Sequence, residues 1–290
     1  MYQISISPPG KYPIDFPPLI PEKVRWFGSR KEAGQRLALA LDSYKWQNPL
    51  ILAIPPGGAE VALEVAKSFN AAFSLIISRP LPLPDHPEAS FGAIAEDGST
   101  YLRVNLVREL PSEVVDAVKA EQLQKIRGLI NMFRNDRSLP DISGRTVILI
   151  DDSMTTGATM KAAFLLCRKR HAAKIVVAVP ASGKKVMEEI KWLADEAIAL
   201  ENPASLYDGA QIYYRRPFVS DEDVLSILAQ WENVRRQRFT LGRQGEGRVD
   251  LPKGRGLVEY GQKSVKDPKT EGLNVKEALH VGSKRISPIR

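Results

Sequence analysis

The stretch Val147-Ile148-Leu149-Ile150-Asp151-Asp152-Ser153-Met154-Thr155-Thr156-Gly157-Ala158-Thr159 decides the fold. Its four β-favouring apolar residues run without a polar interruption, as expected of a parallel strand covered on both faces. Two carboxylates stand where that strand ends. A loop of hydroxylated and small residues follows, and then a helical pattern through Met160, Ala163, Phe164 and Cys167. Open α/β sheets bind ligands at the carboxyl ends of their strands. A hydroxyl-rich loop entering a helix offers N–H groups, hydroxyls and the positive end of the helix dipole to an anion. This order of residues suits a phosphate in the loop and a polyol or a metal on Asp151 and Asp152. The plain alternative is a buried strand ending in a polar turn. Adjacent acids followed by Thr-Thr-Gly-x-Thr at a strand-to-helix junction are far more specific than that.

The flanking sequence repeats the strand-and-helix alternation. Ser29-Arg30-Lys31-Glu32 reads as a capping box opening a helix through Ala33, Leu37, Ala40, Leu41 and Tyr44. Residues 50–54 form a buried strand, followed by Pro55-Pro56-Gly57-Gly58 and a helix through Val61 and Val65. That turn is a second candidate anion site, although it matches neither a P-loop nor a dinucleotide fingerprint; a tight turn needing glycine torsions is the other reading. Residues 73–78 give a further strand ending at Arg79. The four prolines of 80–87 predict irregular structure. Residues 90–104 read as a hairpin around Asp97-Gly98, and 111–134 as a helix with Ser112 as its N-cap. Glu88, Glu96 and Arg103, within this insertion, read as solvated charges. Residues 174–179 and 196–200 complete the strands, and Ser220-Asp221-Glu222-Asp223 opens a last helix with acids in its first turn. The fold class expected is α/β: a doubly wound, mainly parallel sheet with a hairpin-plus-helix insertion (about 80–140) over the active site.

The thirteen residues quoted above resemble, position by position, the PRPP-binding motif of type I phosphoribosyltransferases, and the looser likeness extends over about 29–228. Bacterial members of that family with no assigned acceptor are the nearest in pattern. The resemblance implies that Asp151 and Asp152 hold the ribose hydroxyls of PRPP, while Ser153, Met154, Thr155, Thr156, Gly157, Ala158 and Thr159 hold its 5′-phosphate. It places Gly57, Gly58 and Arg79 at the pyrophosphate. It further implies transfer of a 5-phosphoribosyl group to a nitrogenous, nucleobase-like acceptor with release of pyrophosphate, within nucleotide metabolism, and Mg²⁺ entering with PRPP rather than on a dedicated protein site. Two positions depart from the pattern. Pro56 stands where those relatives carry arginine, and Pro80 where they carry lysine. Both fall at the leaving group, so a catalytically weak PRPP- or nucleotide-sensing regulator on the same fold is the alternative.

The totals are those of an ordinary globular chain, 43% hydrophobic and 26% charged. No apolar run nears the roughly 20 residues of a membrane span, and residues 1–21 have no signal-peptide pattern. One cysteine, Cys167, reads as a small buried hydrophobe and fits a reducing cytoplasm. His86, His171 and His280 are scattered and suggest no metal site. The net charge of +7 is not spread evenly: residues 233–290 hold 14 Lys+Arg against 6 Asp+Glu, whereas residues 1–232 hold 27 against 28. The organisation expected is an extended arm (1–22), a phosphoribosyltransferase-like domain (23–232) and a basic, unstructured tail (233–290). Nucleic acid is a partner only through that tail, and apolar residues on the capping-box helix could serve a homodimer.

Overall fold

The computed structural model describes residues 26–206, 209–215 and 218–245. The expected arm, and the tail from 246 onward, lie outside them. Five parallel strands form the central sheet: β1 (Leu50–Ala53), β2 (Ala72–Leu75), β6 (Thr146–Ile150), β7 (Lys174–Ala181) and β8 (Glu196–Glu201), in the order β2-β1-β6-β7-β8. Alternate side chains enter two separate cores, which is why these strands are apolar without a break. Leu50, Leu52, Val147, Leu149, Ile175 and Val177 face α5 (Ala158–Lys169) and α6 (Lys184–Leu193). Ile51, Ala53, Ile148, Ile150, Val176 and Ala178 belong to the core that holds α1 (Arg30–Ala40), α2 (Gly57–Phe69) and α7 (Asp221–Gly245). Cys167 is buried in the first core, and burial pushes its thiol up to about 12. From β1 the chain winds outward to β2, and from β6 it winds the other way to β7 and β8. The carboxyl ends of β1 and β6 therefore flank a topological switch point, the place where such sheets open a ligand crevice.

A second, antiparallel sheet, β3 (Ser78–Pro82), β4 (Ser90–Ala95) and β5 (Thr100–Leu102), contains the expected hairpin. Residues 73–78 are not one strand: β2 ends at Leu75, and the chain crosses from one sheet to the other, with Ile76 N–H donating to Ala53 O and Glu96 N–H to Ile77 O. Pro80 and Pro82 lie within a strand after all. β3 is an edge strand, where a missing N–H on the outer side breaks no ladder, and Leu81 and Leu83 anchor it in the core. Glu96 is not solvated: its carboxylate receives both terminal nitrogens of Arg134, at 2.6 and 3.1 Å, and both side chains are buried. That pair joins the hairpin to α4 (Ser112–Arg134), whose N-cap is Pro111 rather than Ser112. A short helix, α3 (Val104–Val107), links β5 to α4.

Two ends also differ. The Ser29 hydroxyl accepts from Glu32 N–H as a capping box requires, but the Glu32 carboxylate returns to Gly28 N–H instead of to Ser29. Helix α7 continues to Gly245, twelve residues beyond Asn233, where the sequence reading starts its tail. Val234 packs on the core and Arg236 pairs with Glu232 one turn back, so the helix has reasons to persist that composition did not reveal.

Candidate active site

At the switch point a cavity of about 670 Å³ opens between the turn after β1 and the loop after β6. Asp151, Asp152, Gly57, Arg79 and Thr159 line it, joined by Arg30, Pro55, Pro56, Ser78, Phe218 and Val219. Five of the residues singled out in the sequence thus converge, from three separate segments. Gly58 stands behind them: a Cβ there would lie 2.9 Å from the Asp151 Cα. At Gly57 any side chain would run into the Asp152 carboxylate, so glycine is what lets the amino end of α2 approach the acid pair.

The loop divides its labour. Met154 is buried and its N–H donates to Ala181 O, so it clamps the loop to β7 and has no amide to spare for an anion, contrary to its expected role. Gly157, at φ +67°, makes the left-handed turn into α5, and the Thr156 hydroxyl accepts from Ala158 N–H. Thr155 and Thr156 line a separate cavity of about 650 Å³ with Arg103 and the buried Lys161. Thr159 faces the acid pair's cavity, and its carbonyl accepts from the Ser78 hydroxyl at 3.0 Å. The first amides of α5, like those of any helix, lack intrahelical acceptors and point toward this end.

The two acids have different surroundings. Burial and the neighbouring Asp152 push the Asp151 carboxyl well above the ordinary carboxylate range; it accepts from Asp152 N–H at 2.8 Å. Asp152 instead receives the Arg30 Nε at 2.7 Å, and its carbonyl accepts from the Tyr213 hydroxyl at 2.7 Å. The Arg30 guanidinium sits 5.0 Å from the centre of the Tyr213 ring, a cation–π contact that keeps both in place. Burial holds the Tyr213 phenol far above its usual range, so it remains a donor. Burial, opposed by Arg30, also raises Glu60 in the first turn of α2.

Arg30 and Tyr213 were not found by sequence reasoning. Arg30 was absorbed into the capping box. The available signal was its place at the head of the stripe Arg30, Ala33, Gly34, Leu37 and Ala38, all buried, where an arginine needs a partner. Arg79 lies in the cavity wall, its Nε donating to Gln122 Oε1 at 2.9 Å.

The fold and this site define the class: a doubly wound α/β protein with an acid pair and a hydroxyl-rich loop at its switch point. Comparison with known proteins gives the family. The model of the phosphoribosyl transferase domain matches residues 29–201, and the chain belongs to that family, in its type I branch. Two Mycobacterium tuberculosis proteins, from strains H37Rv and CDC 1551, each named "Putative phosphoribosyl transferase", are 35% identical over 207 residues, 71% of this chain. The chain spans about half the length of these curated relatives (47%). The crystal structure of TT1426 from Thermus thermophilus is 32% identical, covers 72% of this chain and 99% of its own, and superposes with a TM-score of 0.61. Among the described residues no helix is long and apolar enough to cross a membrane.

Proposed function

We propose that the chain binds PRPP and transfers its 5-phosphoribosyl group to a nitrogen acceptor of the nucleobase class, releasing pyrophosphate with inversion at C1. One observation carries this reading: the acid pair, the Gly57 turn, two arginines and the amino end of α5 share one cavity of about 670 Å³, within the usual range for small-ligand sites. On this reading the 5′-phosphate lies at the start of α5, near Thr159. The ribose hydroxyls meet Asp152, which Arg30 orients at 2.7 Å, and Asp151 beside it. The pyrophosphate lies toward Gly57 and Arg79. As the C1–O bond to pyrophosphate breaks and the C1–N bond forms, positive charge develops on the ribose beside the two carboxyl groups. The protein's share is positioning and charge stabilisation.

The donor set suits Mg²⁺ as a companion of the substrate. Asp151 and Asp152 offer the hard oxygens that such an ion takes. Held with PRPP beside Asp151 and Asp152, Mg²⁺ would supply charge neutralisation on the leaving group. Pro56 stands in the cavity wall where those relatives carry arginine, and Arg30 and Arg79 bring cations to the same wall. With Arg30 and Arg79 both in the cavity, the transferase reading is preferred over the sensor. A homodimer would sit on the surface where Leu39 and Trp46 are exposed.

The test is pyrophosphate release from PRPP and Mg²⁺ across a panel of purine and pyrimidine bases. Release that depends on one class of base is the expected outcome. PRPP binding without release under any base would overturn the transferase in favour of the sensor.

A further inference from the structure

At the opposite edge of the sheet, by the amino ends of β1 and β2, lies a groove of about 1230 Å³. Leu50, Phe73 and Trp231 contribute apolar surface to it. Arg137 and Arg145 enter from the connection between α4 and β6, and Arg235 and Arg236 from α7; Glu232 is its one carboxylate. Glu232 is already paired with Arg236, at 3.7 Å. The side chains of Arg137, Arg145 and Arg235 make no ion pair or hydrogen bond among the described residues. Three uncompensated guanidiniums in one concavity are unexpected on a body whose first 232 residues balance 27 basic against 28 acidic side chains. In sequence, α7 opens the part of the chain that carries the whole excess of positive charge, 14 against 6 over residues 233–290.

A single phosphate needs one or two guanidiniums. Three, arriving from two segments along an open groove, fit a succession of phosphates. The fork of arginine matches phosphate oxygens in pairs, and its charge is less costly to desolvate than that of lysine. We propose that this groove binds the phosphate backbone of a single-stranded nucleic acid. This site is separate from the phosphoribosyl cavity and stands or falls independently of it.

The experiment is fluorescence anisotropy of a labelled oligouridylate with the full chain over a salt series, comparing wild type with the triple variant Arg137→Ala, Arg145→Ala, Arg235→Ala. Wild type is expected to bind. The triple variant should bind roughly tenfold or more weakly, and the slope of log K against log salt should fall in magnitude by about 2, at ~0.7 per lost phosphate contact on a single strand. The corresponding Arg→Lys variant should keep the slope and lose less affinity. Asp152→Asn should leave oligouridylate binding unchanged. Thermal melting should be the same in wild type and both triple variants, since these side chains make no ion pair or hydrogen bond within the described fold. Absence of oligouridylate binding by the wild type would overturn the proposal. So would a triple variant with unchanged affinity and slope, or loss of binding to an acidic peptide or anionic vesicles without loss of binding to the oligouridylate.

Discussion

Arg30→Met is expected to lower stability by about 3–5 kcal/mol at pH 8, the usual cost of removing one partner from a buried ion pair. It should also weaken PRPP binding roughly tenfold or more through misplacement of Asp152. Arg30 is 8% exposed, and it is the cation bonded to the acid pair. Without it Asp151 and Asp152 stand side by side uncompensated, while methionine still fills the space against Tyr213. The loss has a defined pH dependence. Asp151 is raised in the folded protein, so from the ordinary carboxylate range upward the native chain holds its proton more readily than the unfolded chain, and this group's contribution to stability falls as pH rises. Removing Arg30, which favours the ionised form of Asp151, raises that carboxyl further. The deficit should therefore be largest at pH 8 and smaller at pH 5. Urea melts at both pH values check this; equal stability of the two proteins at pH 8 would contradict it. Arg30→Lys should recover part of the stability but less of the PRPP affinity, because an ammonium does not reproduce the fork.

Glu96→Ala carries the second large effect, again about 3–5 kcal/mol by urea unfolding. The Glu96 and Arg134 side chains are 3% and 8% exposed, and Arg134 Nε already meets no hydrogen-bond partner among the described residues. Alanine at 96 would strand a buried guanidinium between the hairpin and α4. Burial outweighs Arg134 in setting the Glu96 carboxyl above its ordinary range, so the pair gains little from its own attraction. The double replacement Glu96→Leu with Arg134→Met should therefore restore most of what the single change removes. If the double variant were as unstable as Glu96→Ala, the cost would lie in lost geometry rather than in a stranded charge.

The parallel sheet was legible because strands buried on both faces leave unbroken apolar runs, and Leu50, Ile51, Val147, Ile148, Val176 and Val177 are such runs. The acid pair and its loop were legible because chemistry and position coincide within thirteen residues. What was hidden depends on distant pairing. Arg30 lies 122 residues from Asp152, and Glu96 lies 38 from Arg134; nothing local to either marks the contact. Tyr213 lies in a stretch with no helical or strand period. The prolines of β3 misled because their cost in a strand depends on whether the strand is an edge, which is a tertiary fact.

The switch-point cavity is proposed as a PRPP site. Calorimetric titration of PRPP with Mg²⁺ into wild type, Asp152→Asn and Thr159→Ala tests it most directly. One site per chain, weakened roughly tenfold or more in Asp152→Asn and to a lesser degree in Thr159→Ala, is the expected result. No binding by the wild type, or equal affinity in all three proteins, would contradict it.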